Sequence, residues 1–172
     1  MTLPIRPARM ADVNGLYFLF QAAAAQPGGL ARTAQEASEG YVRRCLEAAG
    51  GRGLALLAQG DGRVQGSLWA WRPEPASLRH TLGELTLAIH PEAQGQGLGR
   101  ALMEAFLDAV KTRFPDIQRV ELVCRESNRA ALHLYEALGF IREGRFNRRI
   151  LGAQGRLEAD IPMAWFNPAF KA

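Results

Sequence analysis

Hydrophobic and polar residues change their period along the chain, and each change marks an element. Residues 3–7 read as a short strand ended by Pro7. An alanine-rich helix is predicted from about residue 9 to 25, where Pro27-Gly28-Gly29 breaks the pattern. Thr33 then offers an N-cap, and Glu36 three residues on is its capping-box partner. Ala34, Ala37, Tyr41, Val42, Cys45, Leu46 and Ala49 follow at helical spacing until Gly50-Gly51.

The period then shortens to that of strands. Residues 54–59 and 64–71 flank Gly60-Asp61-Gly62, a turn of the kind that joins antiparallel strands. Pro73-Glu74-Pro75 opens a loop to about His80. A strand over 82–90 sets Leu85, Leu87 and Ile89 against Glu84, Thr86 and Ala88. Next comes a strong helix, with Leu98, Ala101, Leu102, Ala105, Phe106, Ala109 and Val110 on one side and Arg100, Glu104, Asp108 and Lys111 on the other. Phe114-Pro115 ends it. A strand over 119–124 follows. A helix capped by Ser127 or Asn128 then runs to Leu138, with Gly139 as its C′ residue. Phe140 onward is strand-like, 152–155 turns, and 157–166 returns as a strand. Strands alternating with helices predict a mixed α/β layer with helices packed on a sheet.

Composition narrows the chemistry. At 172 residues, 48% hydrophobic and 22% charged, the chain can bury a core without staples. No apolar run approaches the ~20 residues of a membrane helix, and residues 1–6 lack a signal-peptide stretch. Two cysteines, Cys45 and Cys124, make no disulfide framework, so the cytoplasm is expected. The two lysines, Lys111 and Lys171, do not follow glycine, so there is no Walker loop. His80, His90 and His133 show no metal-ligand spacing, and no Gly-x-Ser-x-Gly elbow occurs. A net charge of +4 suits an anionic ligand and makes no case for nucleic acid.

One stretch carries chemistry. Gly95, Gly97 and Gly99 lie between a strand and the first turn of a helix. A helix start presents about four unpaired N–H groups and roughly half a positive charge. Glycines let the backbone approach a ligand closely, so these N–H groups can converge on phosphate oxygens. The dinucleotide fingerprint Gly-x-Gly-x-x-Gly/Ala fits poorly, since Arg100 or Leu102 stands in its last place and the loop lies past the middle of the chain.

Gln94-Gly95-Gln96-Gly97-Leu98-Gly99 followed by Arg100 resembles the Gln/Arg-x-x-Gly-x-Gly/Ala signature of the GNAT N-acetyltransferase family. Asn128-Arg129-Ala130-Ala131-Leu132-His133-Leu134-Tyr135-Glu136-Ala137-Leu138-Gly139-Phe140 resembles the family's second block, at the expected distance. Ile5-Arg6-Pro7-Ala8 with Asp12 is similar to its opening strand and helix.

The resemblance covers essentially the whole chain and implies a single N-acetyltransferase domain over 1–172. It further implies a mixed sheet of about seven strands with about four helices, in which the fourth and fifth strands splay apart around acetyl-CoA. By the same resemblance the backbone of Leu87, Ala88 and Ile89 pairs with the pantetheine arm. The N–H groups of residues 95–100 hold the pyrophosphate, Gln94 contributes at the mouth of the loop, and Asn128 reaches the pantetheine or acyl end. No metal, nucleic acid or membrane is expected, and a homodimer is common among such proteins.

Acetyl transfer from a thioester to a primary amine needs a proton acceptor, a polarised carbonyl and a donor for the departing sulfur. The resemblance assigns Tyr135 as the donor; read alone, it is an aromatic on the core stripe with Ala131, Leu134 and Leu138. Relatives that acetylate protein N-termini carry a glutamate five residues before the asparagine. Val123 stands there, which tilts the expectation toward a small-molecule acceptor such as an amino acid, polyamine or antibiotic amine. Glu84 is the substitute base, against an edge carboxylate or ordered water, and Glu121 is weaker. Protein N-termini or lysines as acceptors, or a non-catalytic acyl-CoA sensor, are the alternatives. His90 reads as a loop residue, His133 as an exposed one and Cys124 as core. Trp69 and Trp71 share a face, either packed or lining an acceptor pocket. Arg142, Arg145, Arg148 and Arg149 form a basic run, solvated or facing an anion.

Overall fold

A computed structural model describes residues 3–152 and 155–171. Its elements are β1 (Ile5–Pro7), α1 (Val13–Ala24), α2 (Glu39–Arg52), β2 (Gly53–Gly60), β3 (Arg63–Trp71), β4 (Thr81–Ile89), α3 (Leu98–Arg113), β5 (Arg119–Arg125), α4 (Arg129–Ala137), β6 (Ile141–Arg142), β7 (Phe146–Leu151) and β8 (Leu157–Phe166). The strands form one sheet in the order β1-β2-β3-β4-β5-β8-β6, with β7 also on β8. All neighbours are antiparallel except β4 and β5, which run parallel. The expected mixed sheet with four α-helices is present, with eight strands because the stretch after Phe140 splits into β6 and β7. Part of the turn expected over 152–155 lies outside the described residues.

Local chemistry sets the element ends. A bidentate pair from Arg6 to Asp12, at 2.7 and 2.8 Å, ties β1 to the turn of 3-10 helix before α1. The β2–β3 hairpin turns through Asp61 and Gly62 at φ 51° and 77°, the left-handed pair a type I′ turn needs. The Thr33–Glu36 capping box forms, with Glu36 accepting from the Thr33 N–H at 2.8 Å. It closes an isolated turn, however, and does not start the helix. Ser38, accepting from Tyr41 N, is the N-cap of α2, which continues through Gly50-Gly51 to Arg52. Asn128 rather than Ser127 caps α4.

Two apolar layers cover the sheet. On one face α3 and α4 bury Leu102, Met103, Phe106 and Leu132 against Leu68, Leu82, Val120 and Met163. On the other, α1 and α2 bury Leu16, Phe20, Val42 and Leu46 against Ala55, Leu57, Trp69 and Ala88. Phe20 stacks on Trp69 at 4.3 Å with nearly parallel rings. The second layer includes no residue of β5, β7 or β8, so that half of the face carries no helix among the described residues.

Gly66 on β3 lets α3 sit close to the sheet. A Cβ there would fall 2.9 Å from Ile89 Cδ1, 2.9 Å from Leu102 Cδ1 and 3.1 Å from Leu98 Cδ2. Because Leu98 and Leu102 are buried, they have little room to yield. Gly66→Ala should cost about 1–3 kcal/mol of stability in urea unfolding. An unchanged midpoint would show that α3 can move away freely.

Candidate active site

The site begins where β4 and β5 part. They pair only at Thr81↔Arg119 and Leu82↔Val120. Beyond Leu82, among the described residues, β4 holds only to β3. There Trp69 faces Thr86 and Trp71 faces Gly83, so β4 carries one residue more than β3 across this interval. Glu84 takes up the extra residue at φ 53°, a left-handed conformation that favours glycine. The Thr86 hydroxyl donates to the Glu84 carbonyl at 3.2 Å and supports the bulge. The bulge brings Leu85, Leu87 and Ile89 onto the same core as Leu82, which simple alternation would forbid. Among the described residues it also leaves the edge of β4 from Leu85 to Ile89 without a partner strand.

The glycine loop closes one end of this gap. Gly95 and Gly97 have φ of 73° and 81°, and no atom lies within 4 Å of a Cβ built on either. Gly97 is the N-cap of α3 and has no side chain to cap it; its carbonyl accepts the Ala101 N–H. The N–H groups of Leu98, Gly99 and Arg100 therefore form the uncapped first turn. Gln96 Nε2 donates to the Glu92 carbonyl at 2.8 Å, and Gln94 Nε2 lies 3.5 Å from the Ile89 carbonyl, so both glutamines brace the loop on the end of β4. Gly99 differs from its two neighbours. A Cβ there would touch Leu134, Leu87 and Ile89 at 3.5–3.8 Å, which places the start of α3 over β4 and α4.

The α4 side supplies Asn128 and Tyr135. Asn128 Oδ1 accepts from Ala131 N at 3.2 Å, so half of the amide is committed to the cap while Nδ2 has no partner among the described residues. Tyr135 is 7% exposed and packs on Phe140 with ring centroids 5.7 Å apart. Burial, with the nearby Cys124 sulfur adding to it, holds the phenol well above its ordinary range. The Tyr135 phenol therefore stays protonated at any working pH.

Other candidates separate clearly. Burial pushes the Cys124 thiol up to about 12, so it packs as a thiol and not a nucleophile. Glu84 is exposed on the α1–α2 side; the Cys45 thiol, raised mainly by burial, also feels its charge. Glu121 is held by Arg119 at 2.8 Å. His90 Nδ1 accepts from Glu92 N, a loop contact, and His133 is exposed. Trp69 lies fully in the core. The basic run is largely paired: Arg142 to Glu136 at 2.6 Å and Arg145 to Glu126 at 2.7 Å. Sequence reasoning passed over Asp160, although an aspartate amid the apolar residues of β8 is itself a signal. Among the described residues no group of three or more His, Cys, Asp or Glu is placed to hold a metal, and no helix is long and apolar enough to cross a membrane.

A splayed parallel pair with an uncapped helix start at one end leaves strand-edge amides and free helix N–H groups open to a ligand. Comparison with known proteins gives the family. The profile of the Acetyltransferase (GNAT) family matches residues 17–140, and the chain belongs to that family. Mycothiol acetyltransferase of Beutenbergia cavernae is 42% identical over 82 residues, covering 47% of this chain and 25% of that protein. The chain thus spans about a quarter of that relative's length. The ribosomal-protein-S18-alanine N-acetyltransferase of Escherichia coli has 27% identity and a TM-score of 0.76, covering 98% of this chain and 95% of that one. A phosphinothricin acetyltransferase from Sinorhizobium meliloti, solved in complex with acetyl-CoA, superposes with a TM-score of 0.84 at 22% identity, covering 99% and 93%.

Cys124 gives a stability test. Its thiol has an ordinary pKa of 9.0 and titrates near 12 when folded, so between these values the folded state binds more protons than the unfolded state. Stability should therefore fall as pH rises through this window. Cys124→Ala should flatten that fall in denaturant midpoints measured from pH 8 to 11. An equal slope in the variant would contradict the assignment.

Proposed function

We propose that this GNAT acetyltransferase moves the acetyl group of acetyl-CoA to a primary amine of a small molecule. The observation that carries the reading is the gap between β4 and β5, with the uncapped turn at residues 97–100 at its end. In this reading the N–H groups of residues 95–100 bind the pyrophosphate. The free edge of Leu87, Ala88 and Ile89 pairs with the pantetheine amides as a strand would. The Nδ2 of Asn128 donates toward the same arm. When bound, acetyl-CoA supplies the activated thioester.

The chain's own residues then handle protons. Glu84, at the bulge and open to solvent, accepts the proton that the amine must lose before it can attack. As the amine nitrogen bonds to the acetyl carbon and the carbon–sulfur bond breaks, the Tyr135 hydroxyl donates to the sulfur, and the proton that the nitrogen sheds on becoming an amide returns through solvent to the phenolate. A phenol buried as this one is stays protonated and poised to donate. Val123 in place of a carboxylate on β5 supports a small acceptor over a protein N-terminus. The match to a mycothiol acetyltransferase points the same way, and that to an alanine N-acetyltransferase makes peptide amines the comparison to include.

Three variants test the assignments by thiol release against an amine and peptide panel. Tyr135→Phe should lower kcat about 100-fold and leave acetyl-CoA affinity within about twofold. Glu84→Gln should lower kcat/KM for the amine about 10- to 100-fold, also without changing acetyl-CoA affinity. Gly97→Ala places a Cβ at φ 81° and should weaken acetyl-CoA binding about tenfold by calorimetry. Full activity of the tyrosine and glutamate variants across pH, or peptides outrunning every small amine, would overturn the reading.

A further inference from the structure

The half of the sheet that α1 and α2 leave uncovered carries a group that neither acetyl-CoA binding nor proton transfer uses. Asp160 on β8 pairs with Arg125 on β5 and with Phe146 on β7, so the three side chains stand on one face. Glu121 and Val123 stand on that face too, because Val120, Leu122 and Cys124 point into the core of α3 and α4. Val123 is 46% exposed beside the gap, one strand over and two residues along from Asp160.

Asp160 is 7% exposed, and among the described residues no donor lies within hydrogen-bond distance of its carboxylate. The Asp160 side chain keeps 10% exposure, so a cation that reaches it from solvent can lie against it. Burial raises the Asp160 pKa, with the neighbouring Glu158 charge adding to it, while Arg149 and Arg125 oppose the rise. Arg125 is committed to Glu158, which also accepts from Ser127 at 2.5 Å. Arg119 is committed to Glu121 and Glu143. That leaves Arg149. Its side chain is half exposed, its Nε sits 3.6 Å from Asp160, and its guanidinium lies 4.7 Å above the Phe146 ring. One cation thus rests on a carboxylate and an aromatic face together without a hydrogen bond to the former. This is the composition of a cation-binding pocket.

We propose that Asp160 and the Phe146 ring form a cation subsite on the acceptor face. It takes a second ammonium group of the acceptor, so the preferred acceptor is a diamine or polyamine acetylated at its other end. Arg149 occupies the subsite in this structure and swings out on its half-exposed stem when the acceptor enters. The proposal rests on the acetyl-transfer reading. It adds what that reading lacks, a physical reason to select one class of amine.

Calorimetric titration of the CoA-saturated protein with 1,4-diaminobutane and with 1-aminobutane tests it, alongside thiol release with both. The wild-type chain should bind the diamine at least tenfold more tightly. Asp160→Asn should abolish that preference while leaving 1-aminobutane turnover and acetyl-CoA affinity within twofold. Arg149→Ala, which frees the subsite, should strengthen diamine binding or leave it intact. Phe146→Leu, at a 41% exposed position where folding is not at risk, should weaken it severalfold even if the aspartate variant does not fold. Absence of a preference in the wild type, its survival in both Asp160→Asn and Phe146→Leu, or its loss in Arg149→Ala would overturn the subsite. A protein that releases thiol with monoamines but shows no such preference loses only the subsite. One that neither binds acetyl-CoA nor releases thiol with any amine loses the acetyl-transfer reading itself.

Discussion

The interruption of β4 at Glu84 is the constraint on which the rest of the site depends. A parallel pair that has begun at Leu82 and Val120 would ordinarily continue, because each further pairing satisfies peptide groups on both strands. One extra residue in a left-handed conformation stops it. The cost of that conformation is of order 1–2 kcal/mol. It is offset by what the bulge permits, since Leu82 and Leu85 can then face the same core and the strand stays fastened to β3. The result is a free strand edge inside a packed domain, a surface that folded proteins usually cover. A ligand rich in amides is a natural partner for such an edge.

The second half of the site follows from how closely α3 can approach. Gly66 removes the side chain that would hold the helix off the sheet, and Gly95 and Gly97 turn the chain into it with φ values that other residues resist. The helix start is therefore fixed against β4 and left without a side-chain cap. Its positive end lies beside the open strand edge, since Gly99 sits close to Leu87 and Ile89. α4 is capped by Asn128 and packs Tyr135 on Phe140, and the phenol stays protonated through burial.

Much of this was legible in the sequence, for identifiable reasons. The helical period of Leu98, Leu102, Phe106 and Val110 and the strand run of β8 survive folding because burial follows period directly. The glycine loop was legible because only glycine suits two of its positions. The start of α2 was not, since Thr33-Glu36 satisfies the same capping rule as Ser38-Tyr41, and only packing of Val42, Cys45 and Leu46 decides which turn continues. Gly50-Gly51 failed as a stop because neither has a left-handed φ there. The bulge was hidden in plain view: Leu82 and Leu85 are three apart, out of phase for a regular strand. Asp160 escaped because what surrounds its carboxylate is set by the pairing of other strands. A sequence shows a carboxylate but not that Arg125 and Arg119 turn to Glu158, Glu121 and Glu143 and leave Arg149 against it.

Amide hydrogen exchange with and without acetyl-CoA tests the central claim most directly. The account predicts that added acetyl-CoA slows exchange in two segments, the free edge of β4 at residues 85–89 and the turn at residues 95–101, with little change in α1 or β2. Protection confined to other segments, or none at saturating acetyl-CoA, would contradict it.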